Sequence, residues 1–150
     1  MKNFFLCVLF FSLASCTNVS FVNHQPEFLE PLSEIPEKYH GSFLIDTDTH
    51  AVTLGAIDGM SINSDSIVVK ARGNYFYLNI LDDNGNYELY VCKLIRYLDY
   101  ENSYAVFPNI DSEQTHLFNV IDEWNCNNGK QCYLLDNVSE NQFNLLVNSV

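Results

Sequence analysis

Short alternations of apolar and polar residues, broken by Gly, Asn and Asp, run through the chain from Gly41 to about Asn137. Alternation with turn residues at near-regular intervals is typical of antiparallel strands joined by tight turns. The predicted strands are Ser42–Asp46, His50–Gly55, Met60–Asn63, Ser66–Ala71, Tyr75–Leu81, Tyr87–Leu98, Ser103–Pro108, His116–Glu123 and Gln131–Leu135. Helical patterns do not alternate with them, which argues against a parallel α/β sheet. We therefore expect an all-β fold, an antiparallel meander of about 8–9 short strands closed as a lipocalin-like barrel or packed as a two-layer sandwich.

The strongest hairpin pattern joins Tyr75–Leu81 to Tyr87–Leu98. The Asn84-Gly85 pair between them favours a two-residue type I′ turn, in which both central residues need a positive φ. The predicted register has Ile80 opposite Leu89 and Leu78 opposite Val91, with Phe76 on their face and Tyr77 and Cys92 on the other. Because both faces carry apolar groups, we expect this hairpin to lie in the centre of the fold.

The C-terminal residues follow a helical pattern instead. Ser139 and Gln142 fit a capping box, in which each side chain bonds the backbone N–H of the other residue. Phe143, Leu146 and Val147 then fall on one face of a helix. The pattern predicts a short helix over residues 140–148 that packs on the sheet or over one barrel mouth.

The first residues of the chain differ from all of this. Lys2 is followed by an apolar run from Phe4 to Leu13, about ten residues long, whereas a membrane-spanning helix needs about 20. The run is typical of a secretory signal. It ends in Leu13-Ala14-Ser15-Cys16, and this Leu-small-small-Cys pattern resembles the lipobox of bacterial lipoproteins. The resemblance implies cleavage before Cys16 and a diacylglycerol on its sulfur.

The alternative for this segment is an ordinary signal peptidase site, with Ala14 at −3 and Cys16 at −1, which would give a soluble secreted protein. Thr17 follows the cysteine. By analogy with enterobacterial lipoproteins, which are retained in the inner membrane by an Asp at this position, the outer membrane is favoured. The expected division is therefore a signal peptide over residues 1–15, a lipidated Cys16 with a flexible tether over residues 16–33, and a single β-rich domain over residues 34–150.

Charge narrows the class of partner. Without Lys2 the chain keeps 6 basic and 19 acidic residues, a net charge of −13. Nucleic acid is excluded as a partner, since phosphate binding needs clustered Lys and Arg. Anionic lipid headgroups would repel the chain, so the acyl groups on Cys16 must provide the attachment to the bilayer. A basic protein would be attracted, although a solvated acidic surface explains the same composition.

Five cysteines occur in the chain, and Cys7 leaves with the signal. An exported protein meets an oxidising compartment, where disulfides form. Cys126 and Cys132 flank an Asn-Asn-Gly turn, so we expect them to face each other across a short hairpin and to form a disulfide. Their spacing does not match a zinc site. Cys92 lies in a strand pattern and is interpreted as a small buried apolar residue.

Catalytic chemistry has no motif in this sequence. Asp46-x-Asp48-x-His50 would place three ligand-type side chains on one face of a strand, but a solvated turn explains them with fewer assumptions. The stretch from Asp82 to Glu88 does not fit a calcium loop, because its glycine is at the fourth position and not at the sixth. Nucleophile and nucleotide-binding motifs are also missing. We therefore predict neither enzymatic activity, nor a metal, nor a cofactor.

Aromatic residues are concentrated between Tyr75 and Tyr104. A packed core is the default for aromatic residues in strands, but a closed barrel with room inside would turn them into the lining of a cavity for an apolar ligand. Trp124 is expected to be a half-buried core residue, with a surface anchor as the alternative.

Two further stretches resemble small β-rich lipoproteins of Bacteroidetes. Leu32 to Phe43 matches their Leu-x-x-Ile-Pro-x-x-Tyr/Leu-x-Gly-x-Phe/Tyr segment, and Ser139 to Leu146 matches their C-terminal Ser-x-x-x-Phe-x-x-Leu segment. The resemblance implies a β-fold on a lipid anchor, and it brings no established activity and no catalytic residues. The sequence thus predicts an envelope lipoprotein with a non-catalytic binding or interaction role, with a lipocalin-like carrier and a small enzyme as alternatives.

Overall fold

The computed structural model describes residues 18–45, 48–62, 64–97, 100–106, 108–127 and 129–148. Most regular structure in these residues is β-strand. The strands are β1 (Val19–Phe21), β2 (Gly41–Ile45), β3 (Asp48–Val52), β4 (Ala56–Ile57), β5 (Met60–Ser61), β6 (Ile67–Arg72), β7 (Tyr75–Leu81), β8 (Tyr87–Tyr97), β9 (Tyr100–Val106), β10 (Val120–Asn125) and β11 (Gln131–Leu135). One α-helix, α1 (Glu140–Asn148), follows them, and 3-10 helices lie at Glu37–Tyr39 and Ser112–Leu117. The predicted all-β class with a C-terminal helix is confirmed.

The long strand β8 connects the parts of the hydrogen-bonded network. The strand order is β10-β11-β1-β8-β9-β2-β3-β4-β5, and β7 pairs with β8 on its other side and with β6 beyond it. In the part of the chain that the structure describes, no pairing closes this order into a barrel, and a sandwich-like arrangement fits it.

The hairpin of β7 and β8 is buried on both faces, which explains its central place. One face contributes to a core formed by Ile35, Tyr39, Val52, Ile57, Ile62, Ile67, Val69, Phe76, Leu78, Tyr90 and Cys92. The other face contributes to a second core formed by Val19, Phe21, Tyr77, Leu89, Val91, Ile110, Tyr133, Leu135, Val138, Phe143 and Leu146. Strands with apolar residues at successive positions need a cover on both sides, and these cores provide it.

The predicted register of this hairpin is wrong by one residue. Leu78 lies opposite Tyr90 and Phe76 opposite Cys92, so Cys92 shares the face of Phe76 and not that of Tyr77. The turn is the cause. Asp82 N–H donates to the Asn86 carbonyl at 2.8 Å, which leaves a three-residue loop that ends in Gly85 at φ 81°. A three-residue loop with a left-handed glycine shifts the pairing relative to a two-residue type I′ turn.

The prediction of a purely antiparallel meander is also wrong. β1 pairs with β11 in parallel, with Val19 opposite Tyr133, and β2 pairs with β9 in parallel through Leu44 and Tyr104. Both pairings join segments that are distant in sequence. Turn residues and local alternation do not specify such pairings, because they depend on the tertiary fold.

Residues 18–33, which the sequence analysis assigns to a tether, include strand β1. β1 lies between β8 and β11, and its Val19 and Phe21 are 2% and 0% exposed. This segment is therefore part of the folded domain, because it contributes apolar surface to the second core. The signal residues 1–15, Cys16 and Thr17 lie outside the described residues.

The C-terminal helix begins and ends as predicted. Gln142 N–H donates to Ser139 Oγ at 3.3 Å, and Ser139 N–H donates to Gln142 Oε1 at 2.8 Å, which completes the capping box. Phe143 and Leu146 are buried in the second core, and Val147 packs against it. α1 thus covers the face of the sheet that carries Tyr77, whose ring meets that of Phe143 edge-on.

Candidate interaction surface

The edge strand β10 is largely exposed to solvent. The prediction placed a strand at His116–Glu123, but the chain there first forms a 3-10 helix over Ser112–Leu117 and then β10. β10 pairs on one side with β11, and five of its six residues are exposed. An edge strand presents unpaired backbone groups to which another chain can add.

The positions at which β10 presents these groups follow from its neighbours. Tyr133 N–H donates to the carbonyl of Asn18, the residue before β1, at 2.9 Å, so Tyr133 turns its backbone groups away from β10. Glu123 lies opposite Tyr133, which makes this a non-hydrogen-bonded pair. The backbone groups of Glu123 therefore face away from β11, and its N–H donates to Asp122 Oδ1 at 2.9 Å.

Exposed apolar and acidic side chains accompany this edge. Ile121 is 52% exposed at a β-bulge, where the pairing shifts between Val120 and Asp122. An open groove of about 560 Å³ runs beside the strand. It is lined by Thr115, His116, Phe118, Asn119, Val120, Ile121, Asp122 and Glu123. Ile121 is followed by the carboxylates of Asp122 and Glu123, so the groove offers one large apolar side chain beside two acidic ones.

The hairpin that joins β10 to β11 carries the disulfide between Cys126 and Cys132, whose Cα atoms are 5.7 Å apart. Cys126 N–H donates to the Lys130 carbonyl at 2.8 Å, which continues the pairing of the two strands into the turn. Trp124 lies opposite Cys132 and is 39% exposed. The bridge holds the end of β10 on β11, while the start of β10 is bent by the bulge.

A second group of polar residues was not predicted, and three of its members, Gln25, Lys70 and Asn79, are buried. We call it the Lys70 cluster: His24, Gln25, Glu27, Lys70 and Asn79. Lys70 is fully buried on β6, and its Nζ donates to the carbonyls of Pro26 at 2.6 Å and His24 at 3.3 Å. Gln25 Nε2 donates to Glu27 Oε1 at 3.1 Å. The cluster holds residues 24–27 against β6 and β7.

Burial controls the protonation of this cluster. Desolvation lowers the pKa of Lys70 to about 8, against the opposing attraction of Glu27 and Glu30. Burial also lowers the pKa of His24, and the charge of Lys70 lowers it further. A lysine without solvent contact lacks access to a substrate, so these residues serve the fold in this conformation.

The histidines do not gather into a site within the described residues. His50 Nδ1 lies 2.5 Å from Asp58 Oδ2, and Asp58 Oδ1 accepts from Ala51 N–H at 2.7 Å. Asp46 and the side chain of Asp48 lie outside the described part of the structure. The Asp46-x-Asp48-x-His50 hypothesis therefore stays a prediction from the sequence. Among the residues described, no group of three His, Cys, Asp or Glu side chains is arranged to hold a metal ion.

The central hairpin is packed where the carrier hypothesis places a cavity. Phe76, Leu78 and Tyr90 are buried in the first core, and Tyr77 and Leu89 are buried in the second. Cys92 is buried beside Phe76, and burial raises the pKa of its thiol to about 12. The described alternate residues of this hairpin thus contact neighbouring side chains on both faces.

The sequence contains signals for the two features that the prediction lacked, the Lys70 cluster and the exposed edge of β10. Lys70 and Asn79 are polar residues inside strands whose neighbours are apolar on both faces, which indicates a buried hydrogen-bonding role. For β10 the signal is weaker. Ile121, Asp122 and Glu123 carry no alternation, and only the pairing of β10 with a single strand reveals the exposed edge.

Comparison with known proteins adds no relative. No protein-family model matches the sequence, and no curated protein or solved structure is significantly similar to it. The resemblance to lipoproteins therefore stays a prediction from the sequence. Of the helices in the described residues, none has the length and apolar character needed to cross a membrane.

Proposed function

We propose that the protein is a lipid-anchored bacterial envelope lipoprotein, held at the outer membrane through Cys16. Its domain binds an extended basic segment of a partner protein and catalyses no reaction. The observation that carries the binding role is the outer edge of β10, which pairs with no other strand in the described part of the chain. The lipid anchor depends on the lipobox pattern alone.

The edge suits addition of a strand. The backbone of Glu123 faces outward, and Ile121 offers an apolar contact in the adjoining groove. A partner strand that pairs with β10 would replace the bond between Glu123 N–H and the Asp122 side chain with one to its own carbonyl. Main-chain bonds then supply affinity, and the groove selects alternate side chains of the partner.

Charge favours a basic partner. Asp122 and Glu123 line the groove, and the whole chain has a net charge of −12. A segment with Lys or Arg at alternate positions would place its cations near these carboxylates. Such an interaction gains association rate from long-range attraction and weakens as salt rises.

The carrier alternative has less support. A sandwich-like arrangement agrees better than a closed barrel with the strand order, because β10 and β5 stand at its two ends. Both faces of the β7–β8 hairpin belong to packed cores, which leaves its buried aromatic rings in contact with side chains. We therefore favour binding on the outside of the sheet.

The binding role is tested with the mature chain carrying Cys16→Ala, titrated with a synthetic octapeptide of alternating lysine and valine. A glutamate–valine peptide of the same length is the control. We expect the lysine peptide to bind, to shift the backbone NMR signals of Glu123 and Asn125, and to bind less tightly as salt is added. Binding of neither peptide, or equal binding of both, would contradict the proposal.

Two variants at one position separate the backbone from the charge. Glu123→Gln removes the carboxylate and keeps the N–H, so it should weaken the salt-dependent part of binding. Glu123→Pro also removes the outward N–H, and proline is tolerated on an edge strand. It should therefore abolish binding while β10 and β11 stay paired. Equal affinity of the two variants would argue against strand addition.

The anchor is tested by intact mass of protein extracted from a membrane fraction, with and without Cys16→Ala. A mass gain of a diacylglycerol and a fatty acyl group that is lost in the variant supports the anchor. A mature chain of unmodified mass would mean a soluble secreted protein.

A further inference from the structure

We infer that Trp124 and Lys130, at the two ends of the β10–β11 hairpin, lie on the surface that the lipidated protein applies to the membrane, in the headgroup region of the bilayer. This inference rests on the proposed anchor at Cys16. It concerns the end of β10 opposite to the groove, since neither Trp124 nor Lys130 lines the groove.

The connection between the anchor and the fold is very short. Asn18 is 9% exposed and is fixed by its side chain, whose Nδ2 donates to the Ile110 carbonyl at 2.7 Å. Ile110 N–H donates to Asn18 Oδ1 at 2.9 Å, and β1 begins at the next residue. Two residues span at most about 7 Å, whatever conformation Thr17 adopts. This connection is therefore too short to let the domain move away from the bilayer.

The direction of β1 shows that the hairpin lies at the same end of the sheet as the start of β1. Because β1 is parallel to β11, the residues before β1 and the residues before β11 lie at the same end of these two strands. The residues before β11 are the hairpin with its disulfide. Adjacent strands are about 4.8 Å apart, so Trp124 on β10 lies about 10 Å to the side of β1.

Charge distinguishes the hairpin from the other surfaces near Asn18. Residues 124–135 contain no Asp or Glu and include Lys130. By contrast, the exposed Asp111 follows Ile110, the residue that bonds Asn18. Anionic headgroups would repel the surface at Asp111 more than the hairpin.

The exposed groups of the hairpin suit a bilayer interface. Trp124 presents a large ring with a polar N–H, the combination that is enriched at the level of lipid headgroups. Lys130 is exposed, and a lysine can keep its charged end at the level of the headgroups while its apolar stem contacts apolar surface. The disulfide stabilises this hairpin without a charged side chain.

The test uses the fluorescence of Trp124, which is the only tryptophan in the chain. Lipidated protein is reconstituted in phosphatidylcholine vesicles in which part of the lipid carries bromine on its acyl chains near the headgroup. We expect a large loss of Trp124 emission relative to vesicles without bromine. The Cys16→Ala protein mixed with the same vesicles should keep its emission.

A matched variant tests the short connection itself. Insertion of a ten-residue Gly-Ser linker between Thr17 and Asn18 keeps the lipid and β1 but gives a mean reach of about 17 Å. This variant should regain most of the emission, and its circular dichroism should match that of the wild type.

The outcomes separate the two proposals. Intact mass is measured on each sample first. Unmodified mass at Cys16 refutes the anchor, and the inference with it. A lipidated protein whose emission is unchanged by bromine, or equally quenched with and without the linker, overturns the inference and leaves the anchor standing.

Discussion

The side-chain amide of Asn79 pairs with the backbone of Gln25 on both sides, as a neighbouring strand would. Asn79 Oδ1 accepts from Gln25 N–H at 2.6 Å, and Asn79 Nδ2 donates to the Gln25 carbonyl at 2.8 Å. Both residues are fully buried. A single side chain in β7 thus satisfies the backbone of a segment that forms no strand there.

Loss of this amide should weaken the fold. Asn79→Ala leaves the buried N–H and carbonyl of Gln25 without these bonds, which we expect to lower the free energy of unfolding by about 3 kcal/mol. Urea denaturation of the Cys16→Ala protein measures it. Asn141→Ala, on the exposed side of α1, is the matched control and should change the value by less than about 0.5 kcal/mol. A similar small effect for Asn79→Ala would show that residues 23–27 are held by other contacts.

Lys70 predicts a pH dependence of stability. Its pKa is about 8 in the folded protein against 10.5 in the unfolded chain, so between these values the unfolded chain binds more protons. Stability attributable to Lys70 must therefore rise as the pH increases from about 8 toward 10.5. The measurement is the difference in unfolding free energy between the wild type and Lys70→Met at a series of pH values.

Subtracting the unfolding free energy of Lys70→Met from that of the wild type cancels the contributions of the other titrating groups. Burial raises the pKa values of Tyr77 and Cys92 to about 12 in the folded protein. These two groups therefore lower stability at high pH equally in the wild type and in Lys70→Met. Lys38→Met removes an exposed lysine and controls for net charge. A difference that falls with pH would mean that the bonds from Lys70 to the Pro26 and His24 carbonyls outweigh its desolvation.

The disulfide should make a modest contribution. It joins residues separated by 6 positions, and a loop this short restricts the unfolded chain little, so we expect a loss of about 2 kcal/mol on its removal. Urea denaturation of the Cys126→Ala/Cys132→Ala protein measures it. The wild type under reducing conditions is the control for the lost side-chain contacts. A loss far above this value would mean that β10 depends on the bridge for its pairing.

The sequence predicted well wherever local pattern decides structure. Tyr75–Leu81, Gln131–Leu135 and the helix at 140–148 have the bounds that alternation, turn residues and the capping box indicate. Asn84-Gly85 was recognised as a turn, but the three-residue loop depends on Asp82, whose Oδ1 accepts from Asn84 N–H and Asn86 N–H. The loop length is therefore set by a local side chain, Asp82, and not by the Asn84-Gly85 pair alone.

β1 was beyond the reach of local pattern. Val19-Ser20-Phe21 is too short to show alternation, and two prolines follow it. Its strand conformation depends on β11 and β8, with which it exchanges backbone bonds, and on the burial of Val19 and Phe21. The candidate surface on β10 was not predicted for a related reason. An edge strand is one with a neighbour on one side alone, and this depends on the pairing of the whole sheet.

The pairing of β1 with β11 also sets the order in which the domain can fold. Val19 pairs with Tyr133, so β1 gains its parallel neighbour β11 more than 100 residues later, well after its other neighbour β8. Contacts between such distant segments form slowly, because the entropy of closing a long loop is lost before the stabilising contacts form. A chain that emerges from its N-terminus would therefore leave one edge of β1 without a neighbour, and the second core incomplete, until β11 is present, and in that interval it depends on protection from aggregation.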